Sequence, residues 1–323
     1  MVGSTFIRNF FVISIMIACS SCGYQFEKLT IVTCPVGHAE TWSHFAVTRS
    51  IRNGLRKIGV NFNYNPSSLE EVGDVLWVLT DINALQQGIN AKKSGKIKKL
   101  LAGPNLMVRS NESHHILAGA EIDACIVPSD WVKVAYIEDE PSLANRIAIW
   151  FSGVDVDWLC PVDTLKNKKN NVLVYWKTES ESACIQVEQI LKKYHWNPIR
   201  IKYGSYNQEQ YRKLLSQVTF AVFLSRSESQ GLALVEAWAM DIPVLVWDPQ
   251  KPLVIQNKVH NPVSSAPYLT TATGIFWTNN NELEVLVKNI KDNLQSFNPR
   301  LWVLSNMSDE VSAREAVSII SKL

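Results

Sequence analysis

Two carboxylates flank a glycine in the stretch SRSESQGLALVEAWAMDIPVLVWD, residues 225–248: Glu228 and Glu236, with seven residues between them. Glu228 directly follows the apolar run VTFAVFLS, which reads as a strand, and so sits in the loop at that strand's carboxyl end. Gly231 then opens a helix expected to last to about Met240, with Glu236 in its second turn. The free backbone N–H groups and partial positive charge of a helix N-terminus suit a diphosphate. Gly231 lets the backbone approach such a ligand with no Cβ in the way. A carboxylate one or two turns further in can accept hydrogen bonds from a vicinal diol such as a ribose. Glu228, on the loop, would reach a different part of the same ligand. The competing reading is structural: Glu236 is only the solvated edge of an amphipathic helix.

The elements that must position these residues alternate in type. From residue 29, KLTIVTC reads as a buried strand and HAETWSHFAVTRSIRNGLRKIG as a helix closing at Gly59. DVLWVLT, NLMV and DACIVPS are predicted to follow as strands separated by helices or loops. A polar, lysine-rich linker, CPVDTLKNKKNN, then leads to a second set: VLVYW, a helix over about 180–195, PIRIKY, a helix over about 208–215, and VTFAVFLS. A last helix is predicted over Asp309–Lys322. Strands alternating with helices argue for parallel sheets, and two doubly wound domains place a ligand in the crevice between them, at the carboxyl ends of the strands. The expected organisation is a segment 1–28, a domain over 29–160 and a second over 161–323 that includes the last helix.

Composition sets bounds on function. A chain of 323 residues is long enough for two full cores. Its 32 basic and 30 acidic residues leave a net charge of +2, which does not suggest nucleic-acid binding. Locally, AKKSGKIKKLLAGPN gathers Lys92, Lys93, Lys96, Lys98 and Lys99, either a solvated helix face or a contact with an anionic membrane or acceptor. The six cysteines lack zinc spacing and are expected to be reduced and buried. The N-terminal stretch resembles a lipoprotein signal peptide, with Cys19 or Cys22 as the residue to be acylated, and is too short to span a bilayer as a stable helix.

Several familiar motifs fail. GINAKKSGK has six residues between its glycines and Ile97 where a phosphate-binding loop needs Ser or Thr. No G-x-G-x-x-G follows the first strand, no G-x-S-x-G elbow is present, and His114-His115 lack a partner at metal-ligand spacing.

Within S-x-S-E-x-x-G-L-x-L-x-E-A-x-A-x-x-x-P-V the paired glutamates gain meaning. The chain resembles the retaining nucleotide-sugar glycosyltransferases of GT-B fold that carry a Glu-seven-residues-Glu motif. The likeness extends through IKYGSYNQEQYRKLLSQVTFAVFLSRSES, with comparable stretches at AGPN (102–105), VPSDWV (127–132), FSGVDVDWLCP (151–161) and TGIFWTNNNELEVLVKNI. It implies two Rossmann-like domains facing a central cleft, with the donor bound by the second. It also implies that Glu236 binds the ribose, Glu228 contacts the transferred sugar, and Gly231 and Leu232 present N–H groups to the phosphates. Lys177, in VLVYWKTES, would neutralise the leaving diphosphate. The family's usual Gly-Arg before that lysine is missing, and Arg226 is the candidate substitute. Gly37, His38 and Thr41, in PVGHAETW, are candidates for cleft contacts, against the plain reading of His38 as a loop histidine without a role. No cofactor or metal is expected, because the helix dipole and cations would meet the diphosphate charge.

The implied reaction is retaining transfer of a sugar from a nucleoside diphosphate to a glycan or lipid-linked acceptor. Nucleotide sugars are cytoplasmic, so the domains are expected in the cytoplasm, near the membrane if the N-terminal segment anchors them. A bilobal solute-binding lipoprotein and a degenerate transferase that binds without turnover are the alternatives.

Overall fold

The computed structural model describes residues 28–38, 45–161, 170–255, 257–261 and 263–323. Cys19, Cys22, Thr41 and most of the lysine-rich linker lie outside the described residues. The first domain runs β1 (Leu29–Val32), α1 (Phe45–Lys57), β2 (Phe62–Tyr64), β3 (Val75–Val78), α2 (Ile82–Lys93), β4 (Lys99–Ala102), α3 (Glu112–His115), β5 (Ala124–Val127), α4 (Asp130–Asp139) and β6 (Ile147–Ile149). Its sheet is wholly parallel in the order β2-β1-β3-β4-β5-β6. β1, β3 and β5 are buried along their whole length, as parallel strands covered on both faces must be.

The second domain begins with β7 (Asn171–Trp176), α5 (Glu181–Lys193), β8 (Asn197–Lys202), α6 (Gln208–Leu215), β9 (Phe220–Leu224), α7 (Leu232–Ala239) and β10 (Val244–Trp247). An antiparallel hairpin of β11 (Leu253–Ile255) and β12 (Lys258–His260) follows, then β13 (Gly274–Trp277), α8 (Asn280–Asn293), α9 (Pro299–Asn306) and α10 (Asp309–Lys322). Its five-stranded sheet is also parallel, in the order β13-β10-β9-β7-β8. Side-chain caps start the helices where the sequence supplies them. Ser180 accepts from the Ala183 N–H, Asn207 and Gln210 form a reciprocal capping box, and Ser308 accepts from the Val311 N–H.

Three features differ from the sequence reading. The strand between β3 and β5 is KLLA, Lys99–Ala102, and NLMV, residues 105–108, forms a loop beyond it. Only three apolar residues at the end of a lysine run carry this strand, and Lys99 turns its ammonium away to donate to the Ile320 carbonyl at 3.2 Å. The other lysines of the run are engaged too: Lys92 with Asp123, Lys93 with Glu121, Lys96 with Glu70 and Lys98 with Asp74. Cys34, Cys125 and Cys184 are buried free thiols, as expected, whereas Cys160 is exposed.

The last helix belongs in space to the first domain. Ala313, Ala316, Val317 and Ile320 of α10 share one core with Leu29, Ile31, Ile51 and Leu55. The chain reaches it beside its earlier crossing: the Val154 N–H donates to Met307 O at 3.0 Å and the Asp309 N–H to Val154 O at 3.1 Å. Two adjacent strands of chain therefore join the domains. Gly54 permits the close approach of α10 to α1, since a Cβ there would stand 2.0 Å from the Asp309 carbonyl oxygen.

Candidate active site

In the second sheet the chain passes from β7 outward to β8 and then returns to the other side of β7 as β9. Loops leaving β7 and β9 diverge at such a reversal and open a crevice at the carboxyl ends of the strands. Trp176 pairs in register with Leu224, and the Lys177 N–H donates to Leu224 O at 3.1 Å. Lys177 thus emerges beside the loop that carries Glu228. Their side chains meet, Lys177 Nζ lying 2.8 Å from Glu228 Oε2, and both are largely buried. Tyr203 backs the lysine, its ring centroid 4.7 Å from Nζ.

The Glu228 backbone is held from both domains. Its N–H donates to Ser264 O at 2.8 Å, and its carbonyl accepts the indole N–H of Trp131, on α4, at 3.0 Å. Tyr268 of the second domain donates its hydroxyl to the Pro128 carbonyl of the first. Asp139, at the end of α4, takes Arg109 at 3.0 Å on one side and Lys258 of the hairpin on the other. The cleft is closed along this line.

Gly231 caps α7 with φ of +66°, a left-handed conformation that disfavours a side chain. Behind it α7 is buried nearly all round, through Leu234, Val235, Ala237, Trp238 and Ala239. Glu236 is not the solvated edge of this helix. It is 8% exposed, and burial pushes its carboxyl up to about 7 against the opposing pull of Arg49 and Gln208. Glu236 Oε1 accepts from Gln208 Nε2 at 3.1 Å, and Gln208 Oε1 accepts from Arg49 Nη1, on α1, at 2.6 Å. Asp309 borders the same small space and is likewise pushed up by burial, to about 6. Leu232 packs on the first-domain core.

Tyr206 and Tyr211 lie within electrostatic reach of both glutamates. Tyr206 donates to the hydroxyl of Tyr175, on β7, at 3.1 Å, and Tyr211 donates to Ala233 O at 2.8 Å and so braces the start of α7. Burial raises the Tyr206 hydroxyl to about 12.

The other residues singled out in the sequence stand apart. Arg226 leaves the same loop, yet its guanidinium is 62% exposed and pairs with Glu179 at 2.9 Å. Gly37 and His38 lie after β1, where the first sheet reverses its own strand order, and are exposed. Their backbone N–H groups are already taken, that of Gly37 by Pro66 O at 3.2 Å and that of His38 by Pro35 O at 3.0 Å. Sequence reading missed Trp131, Arg49 and Gln208. Gln208 sits beside the capping signal NQEQ, but nothing local marks Arg49 or Trp131 as partners of residues far along the chain. Among the described residues no group of three or more His, Cys, Asp or Glu side chains is disposed to hold a metal ion.

No known family model matches the sequence, and no curated protein does. Solved structures do match the shape. The catalytic domain of starch synthase IV from Arabidopsis thaliana, bound to ADP and acarbose, superposes with a TM-score of 0.62 over 92% of this chain and 99% of that one, at 8% identity. Anabaena Alr3699/HepE, in complex with UDP and glucose, gives 0.57 over 92% and 100% at 12% identity. The lipopolysaccharide outer core galactosyltransferase WaaB, in its apo form, also gives 0.57, over 92% and 100% at 13% identity. The fold is GT-B. The superposition takes in 92% of the chain, so both parallel sheets belong to that architecture.

Proposed function

We propose that this GT-B chain is a retaining glycosyltransferase that takes a sugar from a nucleoside-diphosphate donor. The observation that carries the reading is the Lys177–Glu228 pair, set at the strand-order reversal of the second sheet and facing the cleft. Starch synthase IV and Alr3699/HepE were solved with a nucleoside diphosphate and a sugar compound, which supports the same ligand class here.

In this reading the bond between the anomeric carbon and the diphosphate oxygen breaks while an acceptor hydroxyl oxygen bonds to that carbon. The acceptor's proton ends on the departing diphosphate. Lys177 and the amino end of α7, with the Gly231 and Leu232 N–H groups, meet the charge that develops as the diphosphate leaves. Glu228 orients the transferred sugar, and Glu236 takes the ribose diol once Gln208 yields. Rate then comes from positioning and charge stabilisation rather than from a covalent intermediate or a dedicated metal. The domains work in the cytoplasm, where nucleotide sugars are made, on a glycan or lipid-linked acceptor.

One observation favours binding with little turnover. Arg226, the candidate substitute for the missing arginine, is committed to Glu179. Thermal unfolding with UDP, GDP and ADP, followed by a transfer assay with the corresponding sugar nucleotides, tests both. A ligand at a hundred times its dissociation constant adds roughly 2.7 kcal/mol of stability. Stabilisation by one nucleoside diphosphate together with turnover supports the transferase. Stabilisation without turnover supports the binding protein, and no response to any of the three refutes the donor site.

A further inference from the structure

A second cavity opens on the first-domain side of the same cleft, with a volume of about 360 Å³. Its walls come from the loop after β4 and from α4, through Leu106, Met107, Trp131 and Val132. Ser229 and His260 close it from the second domain. It adjoins the proposed transfer site directly, since Ser229 follows Glu228 and Trp131 donates to the Glu228 carbonyl.

Two side chains at this cavity carry buried polar atoms with no hydrogen-bond partner among the described residues. His260 is 2% exposed and neither ring nitrogen is engaged; the nearest carboxylate oxygen, Glu138 Oε2, is 3.9 Å from Nδ1. The Asn105 amide nitrogen is equally unpartnered. Buried polar groups normally find partners, so these three nitrogens call for a ligand or an ordered water. The charged groups at the rim are committed to one another, Asp139 being held between Arg109 and Lys258. Among the lining residues an anionic or cationic ligand would meet no uncommitted counter-charge, Glu138 standing 43% exposed outside the wall. A bare sugar, with hydroxyls on every side, would leave most of them against apolar wall.

We propose that this cavity seats the apolar part of an uncharged acceptor bearing a hydroxyl, an alkyl or aryl alcohol or glycoside, with His260 and Asn105 hydrogen-bonding its polar end. The proposal rests on the transferase reading for its role but on the cavity's own chemistry for its ligand. Shape and polarity both fit a site that is mostly apolar with a few convergent polar groups.

The test is calorimetric titration of the full chain, with and without UDP, against hexyl β-glucoside, methyl β-glucoside and glucose 6-phosphate. Hexyl glucoside should bind at least about tenfold more tightly than methyl glucoside, because its added methylenes leave water. His260→Leu should weaken that binding about tenfold by removing a hydrogen bond. The same variant should leave the unfolding midpoint of the free protein unchanged or higher, since an unpartnered polar group is gone. Val108→Asp, at a lining residue that is 62% exposed, should weaken hexyl glucoside binding without disturbing the fold. Equal binding of the two glucosides, preference for the phosphate, indifference to both variants, or no binding in either condition each overturns the proposal. If nucleoside diphosphates bind and hexyl glucoside does not, the cavity's role falls and the transferase reading stands. If hexyl glucoside binds with the expected variant losses and no nucleoside diphosphate binds, the donor site falls and the cavity stands.

Discussion

Trp131 of the first domain donates its indole N–H to the main-chain carbonyl of Glu228 in the second, at 3.0 Å. The loop that presents the site carboxylate is therefore positioned in part by the domain opposite to it. Side chain and backbone of one residue report to different partners, Lys177 for the carboxylate and Trp131 for the carbonyl.

Trp131→Phe keeps an aromatic body and removes this bond. Loss of one part-buried hydrogen bond should cost about 1 kcal/mol of stability. Transfer should fall by more than the stability change explains, because the loop loses its register across the cleft. Denaturant unfolding and steady-state rates on the same preparation separate the two. Unchanged rates would remove the cross-domain bond from the mechanism.

Lys177→Met leaves the Glu228 carboxylate, at 12% exposure, without its cation. Breaking such a pair from one side is expected to destabilise by about 1–3 kcal/mol, while Glu228→Gln in the same background recovers part of the loss. A double-mutant cycle on unfolding measures the coupling. Both single variants should reduce transfer sharply, and full activity in either would refute the roles assigned to the pair.

Glu236 makes stability depend on pH. Its ordinary value of 4.5 rises to about 7 in the folded protein through burial, so the folded state holds a proton that the unfolded chain has released between those values. Stability is then full below pH 4.5 and is lost as pH rises through about 7, by roughly 3 kcal/mol. Asp309, moved from 3.8 to about 6, acts with the same sign. Urea midpoints should fall from about pH 5 to about pH 8, and Glu236→Gln should flatten most of that slope and raise stability at the upper end. The same variant should weaken nucleotide binding. A slope unchanged in Glu236→Gln would mean that the carboxyl is not held protonated by burial.

Gly54→Ala sets a Cβ against the Asp309 backbone at 2.0 Å, where no flexible side chain can yield. Separation of α10 from α1 by even part of that overlap should cost on the order of 1–3 kcal/mol. The loss should appear in the unfolding midpoint, and nucleotide binding should weaken through Arg49, which lies on the displaced helix. A midpoint equal to that of the unsubstituted chain would show the two helices to be less closely apposed.

Local pattern carried most of the second domain. The run of apolar residues in VTFAVFLS, the glycine that follows and the helical spacing beyond it specify β9, the loop of Glu228 and α7, and the same holds for α10 over Asp309–Lys322. These signals are short-range: a strand buried on both faces, a left-handed cap and a helix each leave their mark within a dozen residues. The placement of Glu228 in the loop after β9 and of Glu236 within α7 was legible for the same reason. What tertiary structure alone decided lies in contacts between distant residues. KLLA becomes a strand because β3 and β5 leave it a buried slot, not because three apolar residues demand one. α10 packs on the first domain because its apolar face completes the core beside Ile51 and Leu55. Lys177 meets Glu228 only where β7 and β9 become neighbours, and Glu236 acquires its raised affinity for a proton only when the packed domains bury it away from water, against the opposing pull of Arg49 and Gln208. Burial and pairing of charge are properties of the assembled cleft, and no stretch of sequence contains them.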